Sequence, residues 1–404
     1  MRVHAIERAD DERVNWPSSI PMFAIHGLCL LAIVTGVTWQ SLVLCAVLYF
    51  GRMWFITAGF HRYFAHRSYK TNRVFQFVLA FGGGTAAQKG ALWWASHHRD
   101  HHRFSDTERD VHSPLKGFWW SHIGWILCDK YKGWDPDSIK DFNKYPEIRF
   151  LTKHDWIPPW TVAIASYLIA GWPGLIVGFF WSTVLLWHGT FTVNSLAHVM
   201  GRRRYATTDT SRNSALIALW TGGEGWHNNH HHYQASARNG FFWWEYDPTY
   251  YGLKLLSWVG VVRDLKTPPE RALAAARVRH GAFDVGMFKA HWGKATASLV
   301  AHLRRADGPD EALALEAAAA AEVEAALAHA GVDDPAPALL TTAGADLDAE
   351  LDAELADPAT RRENLAEQIH ASRAALEESV RTAMRSAEEL AVLSRRQRAL
   401  TRVD

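Results

Sequence analysis

Nine histidines stand in three clusters and one single position, and their spacings bring imidazoles onto shared faces. His98, His101 and His102 stand in His98-Arg99-Asp100-His101-His102, and His227, His230 and His231 stand in His227-Asn228-Asn229-His230-His231. Residues at i, i+3 and i+4 share one face of an α-helix, so each triplet can point its three imidazoles at one place. His61 and His66, in His61-Arg62-Tyr63-Phe64-Ala65-His66, are five apart, about 140° around an ideal helix, so they should feed different metals or lie across a helix end. His198 closes a long apolar run. Imidazole is a good ligand for iron, zinc, copper and nickel, and nine of them exceed what one ion needs. The spacing is that of a two-metal enzyme. A lone pair of histidines, or a run such as His230-His231-His232, would read as a solvated tract; their joint occurrence carries the inference.

The elements that must position these side chains are apolar helices. Residues 20–40 carry no charge, and 41–60 are interrupted only by Arg52, whose long side chain can snorkel to the interface. Residues 156–201 hold no Asp, Glu, Lys or Arg and are broken at Gly171-Trp172-Pro173-Gly174, which reads as a hairpin of two further spans, 157–171 and 175–198. The competing reading of each run is a buried helix pair in a soluble protein. The expected fold is therefore all-α and integral to a membrane: four transmembrane helices under a cytoplasmic helical cap. Arginines and lysines collect before 20, after 60 and at 202–204, which puts both termini and every histidine cluster on the cytoplasmic side, at the cell inner membrane. The expected organisation is an N-terminal arm (1–19), a membrane domain (20–264) and a cytoplasmic helical extension (265–404). In the extension an alanine-rich run at 317–321 and an acidic stretch at 345–350 precede one apolar helical stripe running through Leu365, Ile369, Leu376, Val380 and Leu390.

Composition narrows the function classes. The 43 basic and 42 acidic residues nearly cancel, leaving no electrostatic footprint for nucleic acid. The three cysteines are scattered, which argues against a disulfide framework and against a thiolate metal site, and points to a reducing compartment. No secretory signal is expected from the mixed-sign N-terminus. Mean hydropathy is only -0.16 because the polar C-terminal third dilutes the apolar runs. Gly82-Gly83-Gly84-Thr85-Ala86-Ala87 fits a loose dinucleotide pattern but lacks a βαβ setting, so it reads as a close-packed glycine turn. His97 and His232 point about 100° away from their neighbours in the triplets and belong behind the ligands or at the surface.

The three histidine boxes, with Gly223-Glu224-Gly225-Trp226 before the third and Val193-Asn194-Ser195-Leu196-Ala197-His198, resemble the membrane-bound fatty acid desaturases of the stearoyl-CoA Δ9 type over roughly residues 20–260. That resemblance implies a di-iron centre held by His61, His66, His98, His101, His102, His198, His227, His230 and His231, with Asn194 acting on one metal through water. It also implies a bent tunnel for the acyl chain. Removing two hydrogens from an unactivated methylene pair needs a strong oxidant, which iron can raise from O2 and redox-inert zinc cannot. The expected activity is an O2-dependent desaturation, Δ9 and cis, of a saturated acyl-CoA. Family residues that meet coenzyme A phosphates correspond here to Ser96 and Asp129-Lys130, so only Lys130 remains for that role, and carrier-protein or phospholipid carriers stay open. No cytochrome b5 segment and no iron-sulfur cysteine set is present, so the two electrons are expected from a separate ferredoxin or cytochrome with its reductase, with the C-terminal extension as a docking candidate. A membrane di-iron hydroxylase is the nearest alternative. A histidine-rich metal sensor or transporter is the distant one, and it predicts more ionisable residues within the spans.

Overall fold

The computed structural model describes residues 9–278 apart from Glu108 and Ala276. The alanine-rich run, the acidic stretch and the apolar stripe of the extension lie outside the described residues. Within them the chain is mostly helical; strand pairing is confined to a two-residue antiparallel ladder, Lys70–Thr71 with Val262–Arg263, and isolated bridges.

Three helical segments are long and apolar enough to cross a membrane: Trp16–Thr35, Trp39–Ala65 and Ile157–Val199. Asn15 caps the first by accepting from the Ser18 amide. Gly36, at φ 78°, ends it with a backbone that a side chain resists. Thr38 and Ser41 then start the second with a reciprocal capping box, each side chain accepting from the other's amide. The third segment has 43 residues and would be about 65 Å long if straight. It is not straight. Ala170 (φ -139°, ψ 23°) and Gly171 (φ 60°, ψ -149°) leave helical geometry, and a Cβ on Gly174 would stand 2.1 Å from the Ser166 carbonyl oxygen. The segment bends back on itself at the glycine marked in the sequence.

The core sits where the second segment meets its neighbours. Met53, Ile56, Phe60 and Phe64 pack with Leu79 from helix Arg73–Gly84, Leu92 from helix Ala91–Phe104, and Leu186 and Phe191 from helix Ser182–Asn194. The outer faces keep apolar side chains in the open: Ile33, Val34 and Leu168 are 86%, 83% and 77% exposed. Such a surface suits hydrocarbon better than water.

One local reading changes. Arg52 does not snorkel: it is 3% exposed, and its guanidinium donates to Thr85 O (3.2 Å), Thr183 Oγ1 (2.8 Å) and Ser182 Oγ (2.5 Å), while Nε donates to Leu48 O (3.0 Å). The segment is packed on this side by the returning limb of the bent helix, which carries Ser182 and Thr183, so the nearest acceptors lie inward. The glycine run is close-packed as expected, though its turn is the last of helix Arg73–Gly84; a Cβ on Gly82 or Gly83 would meet the rings of Phe55 and Phe60 at 2.4 Å. Close packing is the reason for these glycines, one residue from His61.

Gly90 precedes the helix that carries the second histidine box, and a Cβ there would stand 2.3 Å from Thr152 Cα. Backbone cannot yield as a side-chain tip can, so Gly90→Ala should cost about 1–3 kcal/mol and lower the thermal midpoint in detergent. Gly133→Ala, with nothing within 4 Å of the added carbon, should leave that midpoint unchanged.

Candidate metal centre

The second long helix ends in a wide π turn, Phe55–Ala65, where the His66 amide donates to the His61 carbonyl at 3.1 Å. An i→i+5 bond makes one turn of what would be 140° past a turn in an α-helix, so His61 and His66 come to one side. Their ring centroids are 4.7 Å apart. The two expected arrangements were separate metals or a helix end, and the structure has the second.

The triplets behave differently from the single-focus reading. His98 and His102 face one point while His101 faces another; His227 and His231 share that second point while His230 joins the first. On a helix i and i+4 differ by about 40°, whereas i+3 falls about 60° to the other side, so one triplet can serve two foci. The result is a group of five, His61, His66, His98, His102 and His230, and a group of four, His101, His198, His227 and His231. Nε2 atoms meet at 2.9–3.0 Å around the first group, through His61–His230, His230–His102, His102–His98 and His98–His66. In the second, His101–His231 is 3.3 Å and His227–His198 is 3.2 Å.

Carboxylates hold the outer nitrogens. His61 Nδ1 lies 2.7 Å from Glu224, His101 Nδ1 3.0 Å from Asp110, His198 Nδ1 3.2 Å from Asp106 and His231 Nδ1 2.8 Å from Asp209. A carboxylate accepts, so each of these Nδ1 atoms carries the proton and each Nε2 a bare lone pair. For His101 and His231 those lone pairs point at each other across 3.3 Å. That arrangement is repulsive unless a cation is shared.

Burial, followed by repulsion from neighbouring imidazoles, pushes His66, His98, His102, His227 and His230 well below the ordinary histidine range, so these rings stay neutral donors. Burial would raise Asp209, but His231 and His198 bring it well below the usual carboxylate range. Spacing bears on the metal as well. Nitrogens 2.9–3.0 Å apart subtend about 90° at an ion about 2.1 Å away, whereas a tetrahedral site spaces them about 3.4 Å. Five imidazole nitrogens lie within 4.8 Å of one another in this group, one more donor than a tetrahedral ion uses.

The asparagines of the third box are structural. Asn228 Oδ1 accepts from the amides of Arg204 and Tyr205 at 2.8 Å, and Asn229 donates to Asn239 O and Glu245. They lock helix His227–His232 between the two groups. His97 binds Tyr131 O and His232 binds Ala272 O, away from both. Sequence reasoning missed Asp106, Asp110, Asp209 and Glu224; the signal was acidic residues near each box, though their pairing crosses the chain.

A cavity of about 690 Å³ reaches both groups, touching His61, His98, His101, His227 and Asn194. Its walls are mostly apolar, with Ile25, Ile56, Phe179, Trp94 and Trp187 among them, and Lys89, Lys132 and Asp155 also line it. There it adjoins a cleft that Lys89 and Lys132 also line, with Arg149 and Lys153. Lys130 lines neither; its Nζ is 2.7 Å from Glu12.

The comparisons agree with the site. The fatty acid desaturase family model matches residues 37–288. Relatives include an acyl-CoA C20 Delta5-desaturase from Anemone leveillei, 39% identical over 61% of this chain and 80% of its own length. The sn-1 stearoyl-lipid 9-desaturase of Synechocystis sp. is 39% identical over 62% of this chain and 80% of its own. A probable acyl-CoA desaturase from Schizosaccharomyces pombe is 33% identical over 69% and 61%. A helical membrane scaffold that buries histidine groups able to bind metal, beside an apolar cavity, is thus met in a known setting: the chain belongs to the membrane fatty acid desaturase family.

Proposed function

We propose that the nine clustered histidines hold two iron ions and that the chain uses them to place a cis double bond, at Δ9, in a saturated acyl chain. The division of the nine imidazoles into a group of five and a group of four carries the two-ion reading. Iron with O2 supplies the oxidising power: O2 takes two electrons and two protons from the methylene pair and two of each from outside, leaving two waters. The protein's own contribution is holding and exclusion. His61, His66, His98, His102 and His230 would hold one ion, and His101, His198, His227 and His231 the other, with Asn194 contributing through a water. Glu224, Asp106, Asp110 and Asp209 fix the ring orientations. The apolar walls keep water from the reacting carbons.

The third long segment, doubled at Gly171, makes a pair of crossings in this reading, for four in all, with the histidines on the cytoplasmic side of the inner membrane. Lys89, Lys132, Arg149 and Lys153 line the cleft beside the cavity and outnumber its one acid, Asp155, which lies 3.8 Å from Lys89 Nζ; this balance favours an anionic carrier, with acyl-CoA foremost and a phospholipid second, and Lys130, paired with Glu12, stands outside that lining. Electrons come from a separate ferredoxin or cytochrome with its reductase.

Fatty acids from an expressing host, resolved by gas chromatography and mass spectrometry, test the activity. A new monounsaturated acid should appear and should vanish with His101→Ala, His102→Ala. A hydroxylated acid in its place would overturn the desaturase reading, and the fragmentation pattern locates the double bond.

The carrier is tested by reversing charge at the mouth. Lys89→Glu with Arg149→Glu should raise the KM for stearoyl-CoA roughly tenfold or more, the worth of a charge-assisted contact, with kcat little changed. An unaltered KM for stearoyl-CoA alongside an altered one for phosphatidylcholine would reassign the carrier.

A further inference from the structure

We propose that the two ions are held unequally, the four-histidine site keeping its iron while the five-histidine site gives its iron up first. The proposal rests on the two-iron reading above.

A count of ligands points the other way, since five nitrogens should outbind four. Three observations reverse it. The first is charge. Three of the four rings in the smaller group have a carboxylate of their own: Asp110 on His101, Asp209 on His231, and Asp106 3.2 Å from His198 Nδ1, which also reaches Thr210 Oγ1 at 3.1 Å. These carboxylates take their remaining hydrogen bonds from neutral groups, the amides of Asp106, His112, Thr210 and Ser211 and the hydroxyls of Thr207 and Thr210. In the larger group Glu224 backs His61 alone. It is also shared with Arg62, whose guanidinium lies 2.9 Å away and is itself bound to Asp247 at 2.9 Å. A carboxylate behind an imidazole pushes electron density onto the ligating nitrogen and offsets the charge of the ion. Three negative charges serve one site, with His112 Nδ1 also 3.8 Å from Asp110, and one charge divided with Arg62 serves the other.

The second observation is what metal binding demands of the outer nitrogens. When Nε2 binds an ion the ring proton sits on Nδ1 and needs an acceptor. Among the described residues, buried Nδ1 atoms without a partner belong to His102 and His230 in the larger group and to His227 in the smaller. Loading the larger site thus strands more protons.

The third is access. All four rings of the smaller group are buried, while His66, His98 and His102 of the larger are only partly so. The cavity touches both groups, but the three partly exposed rings give a chelator or water the wider approach to the five-histidine ion, so release rate and affinity run in the same direction.

The test is chelator titration of the full-length, iron-loaded protein in detergent, with iron counted by mass spectrometry. Wild type should lose iron in two steps of one ion each, separated at least tenfold in chelator concentration. Anomalous scattering at the iron edge from half-stripped protein should find the remaining ion among His101, His198, His227 and His231. Asp209→Asn should bring the second step down by about 10–100-fold, and Glu224→Gln should move only the first. A single step, or a remaining ion at the five-histidine site, overturns the proposal, and the wild-type measurements decide it even where a variant fails to fold. Protein that takes up no iron at either group would instead sink the two-iron reading; two irons leaving together would sink only this inference.

Discussion

Everything in this molecule depends on holding neutral imidazoles lone pair to lone pair inside a low-dielectric interior. Isolated rings would turn away from such contacts. Here Asp110 and Asp209 prevent it, because each binds the far nitrogen and leaves the near one bare and aimed. The carboxylates are in turn fixed by amides and hydroxyls from loops that connect the long helices. The scaffold therefore presents several bare nitrogens at each focus, the donor set a cation uses. That couples folding of the cap to metal, in the way general to sites whose ligands are brought together only by the native fold.

Few backbone elements are needed for this. One π turn brings His61 and His66 to a single side; two short helices, each with an i, i+3, i+4 triplet, straddle the pair of foci and divide their histidines between them. Because each triplet spans both foci, the distance between the groups is fixed by the helices themselves and not by loops. The asparagines between His227 and His230 anchor one bridge to the neighbouring loops, and Arg99, which donates to Phe64 O, Ala65 O and Asp141, anchors the other to the end of the π turn.

How much of this was legible in the sequence follows from the range of each interaction. The triplets were visible because i, i+3 and i+4 proximity is local geometry. Their division between two foci was not, since it depends on where the other helices lie. The His61 and His66 spacing posed the right question, but a π turn is chosen by packing against Leu79 and the Gly82–Gly83 surface rather than by local propensity. Asp209 serves His231, 22 residues away, and Glu224 serves His61, 163 positions back, although it stands three residues before His227. Such pairings are properties of the fold. Apolar runs announced the long helices, and Gly171 announced the bend, because hydropathy and backbone sterics are again local. Arg52 misled for the same reason in reverse: only the packed neighbour decides whether a long cation turns outward or in.

The cavity adds a constraint that the metal groups alone would not impose. It has mostly apolar walls, histidines of both groups in its lining, and Lys89 and Lys132 where it adjoins a second cleft. An amphiphile bound with its anionic head at Lys89 and Lys132 has its chain laid along those walls in one direction only, because reversing it would bury the head without a counter-charge, at a cost of several kcal/mol. In the proposed function this fixes which carbons pass His61 and His227: the path length from the cations to the histidines sets the position of the double bond, and the depth beyond them limits the chain. Relatives that act at different positions, a Delta5 and a 9-desaturase among them, resemble this chain to the same 39%. Overall likeness therefore does not carry regiochemistry, and on this reading the ruler between mouth and metal does.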